Sequence, residues 1–183
     1  TTLDEFRYQA RGYAKYADIA RLFGWKALKD FFYQENLDYN AGVLSCFEKS
    51  ICRDGLSQTD SRILRLSKAA DADLTPLIHF WGVHPDNSTA LSQAVNAAGL
   101  DKSTTIRDKL IYYASIAPDN NSEFNDHFNT VFPDSKVSDC ESQDYGCGWY
   151  HAWSDNFTSS HGDKISSALQ SLLNQYFPGT ILP

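Results

Sequence analysis

Apolar residues recur at spacings of three and four along most of the chain, which is the period of one face of an α-helix. The first such segment runs from residue 3 to residue 23, and Gly24 ends it. The second begins directly after this glycine and continues to residue 33. It repeats the pattern through Trp25, Leu28, Phe31 and Phe32, which is typical of one face of a helix.

Start and stop signals divide the rest of the chain into further short helices. Thr75 can cap a helix, and Pro76 suits its first position because the missing proline N–H costs nothing there. Gly82 stops this helix, and either Asp86 or Ser88 can cap the next one. Other helices are predicted at about residues 40–49, at 59–70, from 103, from 122 to 132, and from 163 to 176.

These segments predict an all-α fold, an irregular multi-helix bundle, forming a single helical domain over residues 1–183. Residues 134–162 are polar and glycine-containing without a sustained period, which predicts a long ordered loop before the last helix. The chain contains no Met, even at position 1. Both a mature secreted protein and a fragment fit this absence, and we expect a C-terminal fragment of a larger secreted protein.

The composition allows a sizeable core and disfavours nucleic acid as a partner. Hydrophobic residues make up 42% of the chain and charged residues 21%, so disorder is not expected. The 23 acidic and 16 basic residues give a net charge of −7, which repels phosphate backbones and anionic membranes. The longest apolar stretch, residues 77–83, is too short to cross a bilayer, and we expect neither a membrane span nor a signal peptide.

The four cysteines fall into two close pairs, Cys46 with Cys52 and Cys140 with Cys147. Three pairings are possible, and the short separations favour the two local ones. Neither pair is a CxxC, and no histidine stands beside them at zinc-ligand spacing, so a zinc knuckle is not expected. Disulfides of this kind predict an oxidising compartment, and therefore a secreted or cell-surface location.

No familiar catalytic or metal-binding motif occurs in the sequence. HExxH, GxSxG, the P-loop and GxGxxG are all absent. His79 and His84 are separated by Gly82, so they are not expected to share a helix face or to bind a metal. Residues 119–126 are rich in Asp, Asn and Glu but lack the glycine and final glutamate of an EF-hand. We therefore assign no catalytic residue, no metal ligand and no cofactor to this chain.

The densest group of functional residue types lies in the predicted loop, which the second cysteine pair would hold. Large aromatic residues alternate there with polar ones, as in surfaces that stack on the apolar faces of sugars. In the alternative interpretation, Trp149 and Trp153 are four apart, open a helix and pack inward. The candidate ligand-contacting residues are Asp144, Tyr145, Trp149, Tyr150 and His151.

Residues 63–83 resemble the region downstream of the zinc site in the enhancin-like gluzincin metallopeptidases. These are secreted zinc enzymes that degrade mucins and other glycoproteins, and the group includes accessory colonisation factor D. The similarity rests on Asp73-Leu74-Thr75-Pro76 followed by Trp81-Gly82, and on Phe23-Gly24-Trp25 earlier. It covers about residues 16–100. The family's HExxH and downstream glutamate ligand are not in this chain, so no catalytic residue carries over.

The resemblance implies that the chain is the non-catalytic C-terminal helical part of a secreted zinc metallopeptidase acting on mucin-type glycoproteins. It would support the catalytic portion of the parent protein, where the zinc would be bound, and its aromatic loop would contact the glycoprotein substrate. Within the family pattern, Pro76 starts a short helix that Trp81 anchors in the core. The chain alone is expected to be inactive. The alternative is a stand-alone glycan- or protein-binding module without catalysis.

Overall fold

The structure, a computed structural model, describes residues 2–40, 52–131 and 157–182. Within these ranges the regular secondary structure is α-helical, apart from one isolated bridge between Asp73 and Lys102. The predicted all-α multi-helix fold is therefore confirmed. The helices are α1 (Thr2–Phe23), α2 (Trp25–Asn40), α3 (Gln58–Ala70), α4 (Thr75–Phe80), α5 (Ser88–Ala97), α6 (Thr104–Ser115), α7 (Asn121–Val131) and α8 (Ser159–Tyr176).

The chain divides into two compact units, Thr1–Lys109 and Leu110–Pro183, with the boundary inside α6. Each unit contains buried apolar side chains. The prediction of one domain over residues 1–183 stays a prediction. The fully buried large apolar residues of the first unit are Ile19, Phe31, Ile63, Leu74, Leu77, Ile78, Leu91 and Ile106, and those of the second are Leu110 and Leu173.

In the first unit, α3 packs against α2, α4 and α5, and α1 packs against α2. Ser57 caps α3, because its hydroxyl accepts a hydrogen bond from the backbone N–H of Asp60 at 3.1 Å. At the other end, Asp71 adopts the left-handed conformation with a φ of 53°, and this ends the helix. The apolar face between these caps is Ile63, Leu64 and Leu66.

The start of α4 agrees with the prediction in its proline and differs in its cap. Pro76 lies in the first turn, but Thr75 is the first helical residue, and the residue before it, Leu74, makes no side-chain cap bond. Instead, the buried Asp73 carboxylate accepts the Thr75 backbone N–H at 2.9 Å. Trp81 follows α4, and its indole Nε1 donates to the Asp18 carboxylate at 2.9 Å.

In the second unit, α8 makes a close approach to the segment before α7. A Cβ atom at Gly162 would lie 2.7 Å from the carbonyl oxygen of Asp119, so only glycine fits there. The Phe157 ring stacks on Phe124 of α7 at a centroid distance of 5.1 Å. Gln170 holds the segment after α8, since its side chain donates to the Thr180 carbonyl and accepts the Leu182 N–H.

Two helices have bounds that differ from the prediction by more than two residues. α2 continues seven residues beyond the predicted end, and its last turns contain the side-chain hydrogen bond between Gln34 and Asp38, four residues apart. α8 begins at Ser159 rather than residue 163, because His161 Nδ1 accepts the Thr158 backbone N–H at 3.2 Å and caps the helix earlier. The predicted helix at 40–49 and most of the predicted loop at 134–162 lie outside the described residues.

No helix in the described part of the chain is long and apolar enough to span a bilayer. This agrees with the prediction of no membrane span, which rested on the shortness of residues 77–83.

Candidate functional site on α2

The aromatic loop that the sequence predicts as a binding site lies outside the described residues. Its exposure and contacts therefore stay predictions. This applies to each of its candidate residues, Asp144, Tyr145, Trp149, Tyr150 and His151.

Of the four cysteines, only Cys52 lies within the described residues. This residue is buried and disulfide-bonded, and its partner lies outside the described residues. Cys46, Cys140 and Cys147 also lie outside them, so the two local pairings stay predictions.

An aromatic surface lies at the start of α2. Trp25 is 76% exposed and Phe32 is 49% exposed. Residues seven apart lie on the same side of a helix, so both rings lie on one side of α2, two turns apart. They line an open depression of about 650 Å³, and we call its lining residues the α2 surface. These residues are Trp25, Lys26, Leu28, Lys29, Asp30 and Phe32.

Only part of the predicted apolar pattern of α2 is buried. The pattern runs through Trp25, Leu28, Phe31 and Phe32, whereas the buried residues of the helix are Ala27, Leu28 and Phe31. The sequence carried one relevant signal, the run of aromatic residues at positions 31–33, which extends around more of the helix than one face.

The polar groups of the α2 surface have a charge opposite in sign to that of the whole chain. Lys26 donates to the Asp30 carboxylate four residues later, forming an exposed ion pair. With Lys29, the surface contains two ammonium groups and one carboxylate, while the chain carries a net charge of −7. It therefore favours ligands that combine apolar faces with hydroxyl and acidic groups.

Aromatic and cationic neighbours hold the Phe32 ring in place. Its centroid lies 5.9 Å from that of Tyr16 and 5.1 Å from that of Phe31. The Arg62 guanidinium lies 5.7 Å from the Phe31 centroid and donates to the Tyr16 hydroxyl at 3.1 Å. Burial, and secondly the charge of Arg62, lower the pKa of the adjacent Lys15. The α2 surface is thus supported from α1 and α3 rather than by α2 alone.

A second, smaller depression of about 310 Å³ lies between α2 and α3, but its arginine is already engaged within the protein. Arg65 donates to Glu35 at 2.6 Å and to the Ser61 hydroxyl at 2.6 Å, and that hydroxyl donates to Asp54. These bonds connect side chains within the protein, so we do not assign a ligand site to this depression. The lining residues are Asp30, Phe31, Gln34, Arg65, Lys68 and Ala69.

The structure brings His79 and His84 together, which the sequence analysis did not expect. Their ring centroids are 4.5 Å apart and the ring planes meet at 70°. His84 lies outside α4, so the two do not share a helix face, as predicted. They meet because Gly82, with a φ of 86°, reverses the chain between them.

The acidic stretch at residues 119–126 caps α7. The Glu123 carboxylate accepts the Asp119 backbone N–H and an Asn120 side-chain N–H, each at 3.0 Å, and the Asn120 side-chain oxygen accepts the Glu123 N–H. Over the described ranges as a whole, no group of three or more His, Cys, Asp or Glu residues is close enough to hold a metal ion.

Comparison with known proteins finds no matching protein-family model, no matching curated protein and no matching solved structure. The similarity of residues 16–100 to the enhancin-like metallopeptidases therefore stays an expectation from the sequence.

Proposed function

We propose that this chain is a non-catalytic helical module that binds the glycan chains of glycoproteins through the α2 surface. The observation that carries this proposal is the exposed Trp25 ring, set beside Phe32 in a depression that also contains charged groups. A flat aromatic ring covers the apolar face of a sugar, and the neighbouring ammonium and carboxylate groups bind its hydroxyls.

The rigidity of the surface supports the same role. Trp25 and Phe32 lie on a regular helix, and the packing around Phe32 fixes one of the two rings. A preformed surface loses less conformational entropy on binding than a flexible loop, so weak individual sugar contacts contribute more to the affinity. The two lysines favour glycans that carry carboxylate or sulfate groups.

Binding of the whole chain to an immobilised mucin-type glycoprotein tests this function. Trp25→Ala should weaken binding at least about tenfold, equivalent to about 1.4 kcal/mol, and leave the melting temperature nearly unchanged because the ring is exposed. Tyr112→Ala is the matched control. Tyr112 is 51% exposed on α6 and does not line the depression. Equal binding by wild type and Trp25→Ala, or no binding by the wild type, would refute the proposal.

A second candidate role, support of the catalytic portion of a secreted zinc metallopeptidase acting on mucin-type glycoproteins, rests on the resemblance of residues 16–100. Its structural support is the packing of that segment, in which Pro76 lies in the first turn of α4 and the Trp81 indole donates to the buried Asp18 carboxylate. The coding sequence upstream of residue 1 tests it. An HExxH within a few hundred residues would support this role, and an unrelated upstream region would exclude it.

A further inference from the structure

We propose that Lys15, Tyr16 and Arg62 form a subsite for a carboxylate or sulfate group, so that the chain binds acidic glycans in preference to neutral ones. The proposal rests on the glycan-binding function proposed above and names the class of glycan. Two helices contribute to the subsite, because Lys15 and Tyr16 lie on α1 and Arg62 lies on α3.

Tyr16 is the residue that both cationic side chains contact. The Arg62 guanidinium donates to the Tyr16 hydroxyl at 3.1 Å, and the Lys15 Nζ lies 5.0 Å from the centroid of the Tyr16 ring. The two charges are close enough to interact, since the charge of Arg62, after the larger effect of burial, lowers the pKa of Lys15. Two positive charges therefore lie around one aromatic side chain.

No acidic side chain in the described ranges forms an ion pair with either cation, although acidic residues outnumber basic ones in the chain by 23 to 16. Like charges held near each other raise the free energy of the charged state. An anion bound beside Lys15 and Arg62 would remove this repulsion, so the pair favours a negatively charged ligand group over a neutral one.

The hydrogen-bonding groups of the subsite also suit an acid. An ammonium and a guanidinium are donors only, and the Tyr16 hydroxyl, which accepts from Arg62, keeps its own hydrogen to donate. An ionised carboxylate accepts only, and the oxygens of a sulfate ester do the same. Hydrogen bonds between ionised partners are roughly twice as strong as those between neutral ones, so an acidic group gains more here than a sugar hydroxyl.

The subsite adjoins the apolar part of the α2 surface. The Tyr16 ring centroid lies 5.9 Å from that of Phe32, which lines the depression. Arg62 is exposed, and Lys15 and Tyr16 are half-buried, so a ligand has access to all three. One oligosaccharide can therefore stack a sugar on Phe32 and place an acidic group beside Tyr16.

The test measures binding of the full chain to an immobilised mucin-type glycoprotein. The glycoprotein is used untreated, after sialidase, which removes terminal carboxylate-bearing sugars, after chemical desulfation, and after both treatments. The wild type should bind the doubly treated form at least about fivefold more weakly than the untreated one, a change of about 1 kcal/mol. The single treatments then show whether a carboxylate or a sulfate is the group recognised.

Single-charge variants assign this preference to the subsite. Arg62→Gln and Lys15→Gln should each weaken binding to the untreated glycoprotein at least about threefold and bind the doubly treated form as the wild type does. Arg21→Gln is the matched control and should bind both forms as the wild type does. Arg21 is an exposed arginine of α1, and at five residues from Tyr16 it lies on another side of the helix.

Three results would overturn the subsite. The first is equal affinity of the wild type for the untreated and doubly treated forms, which would leave the glycan-binding function standing. The second is wild-type affinity of Arg62→Gln for the untreated form, which decides the question even if Lys15→Gln does not fold. The third is an equal loss in Arg21→Gln, which would indicate general attraction between charges. No binding of the wild type to any form would refute the glycan-binding function itself, and the subsite with it.

Discussion

Replacing Asp60 by asparagine tests whether one buried carboxylate holds the connection between α4 and α5. Asp60→Asn keeps the size of the side chain but replaces one acceptor oxygen by an amino group. The two backbone donors, Asp86 N–H and Asn87 N–H, now lie 2.9 and 2.8 Å from carboxylate oxygens. In the variant, one of them loses its acceptor and faces another donor, while the other keeps only a neutral acceptor.

The expected cost follows from these two bonds. A hydrogen bond to a charged group contributes about 1.5–3 kcal/mol, and a neutral one about 1 kcal/mol. Losing one charged bond and weakening the other should lower the free energy of unfolding by about 2–4 kcal/mol. No reduction for solvent screening applies, because Asp60 is completely buried. For a unit of this size, the melting temperature should fall by at least about 10 °C.

Urea unfolding followed by circular dichroism measures the change in free energy, and hydrogen exchange locates it. The amides of Asp86 and Asn87 should exchange faster in Asp60→Asn, since they lose their acceptor. Asp86→Asn is the matched control, because its side chain is exposed in the same connection while its backbone N–H still reaches Asp60. A loss below about 1 kcal/mol, or one no larger than in the control, would refute this reasoning.

Two further outcomes are expected. Gly162→Ala should destabilise the protein and Gly12→Ala should stabilise it. Alanine gains about 1 kcal/mol of helix propensity over glycine at both positions. At position 162, however, its Cβ would lie 2.7 Å from the Asp119 carbonyl oxygen, whereas a Cβ at position 12 would have no neighbouring atom within 4 Å. Thermal melting checks this, and a Gly162→Ala variant as stable as the wild type would contradict it. Burial, and secondly His84, lower the pKa of His79 below its usual 6.5. The unfolded chain therefore takes up this proton at a higher pH than the folded chain does, so the free energy of unfolding should decrease from about pH 6.5 downward, and less steeply in His79→Gln. Parallel pH curves for the two proteins would exclude this contribution.

The sequence predicted the parts of the fold that depend on local chemistry. Pro76 and Gly82 bound α4 because proline tolerates the first turn and glycine tolerates positive φ, and neither effect depends on distant residues. The prediction of the residue that caps α5 was wrong. Neither Asp86 nor Ser88 is the N-cap, and the Asn87 side chain accepts the Ala90 N–H instead. That choice depends on Asp60, which is distant in sequence and binds the backbone at this point.

The candidate sites were less predictable because they depend on tertiary contacts. The three aromatic residues from Phe31 to Tyr33 allow more than one apolar face for α2, and packing against α1 and α3 selects the face that contains Phe31. Trp25 is therefore exposed, although it belongs to the same repeating apolar pattern as the buried Leu28. Similarly, five residues between His79 and His84 do not determine their distance. The reversal of the chain at Gly82 determines this distance, through the bonds from the Gly82 and Val83 N–H groups to the carbonyls of His79 and Ile78.

Glycan binding can be distinguished from general loss of structure by one comparison. Trp25 lies on α2 and Asp60 on α3, and α3 packs against both α2 and α4. Asp60 accepts the backbone N–H groups of the connection before α5, so Asp60→Asn should lower the free energy of unfolding while glycan binding remains at the wild-type level under conditions where the variant is folded. Trp25→Ala should give the reverse pattern, because independent sites contribute additively. If folded Asp60→Asn bound glycan as weakly as Trp25→Ala does, the binding would depend on the integrity of the whole unit rather than on the α2 surface.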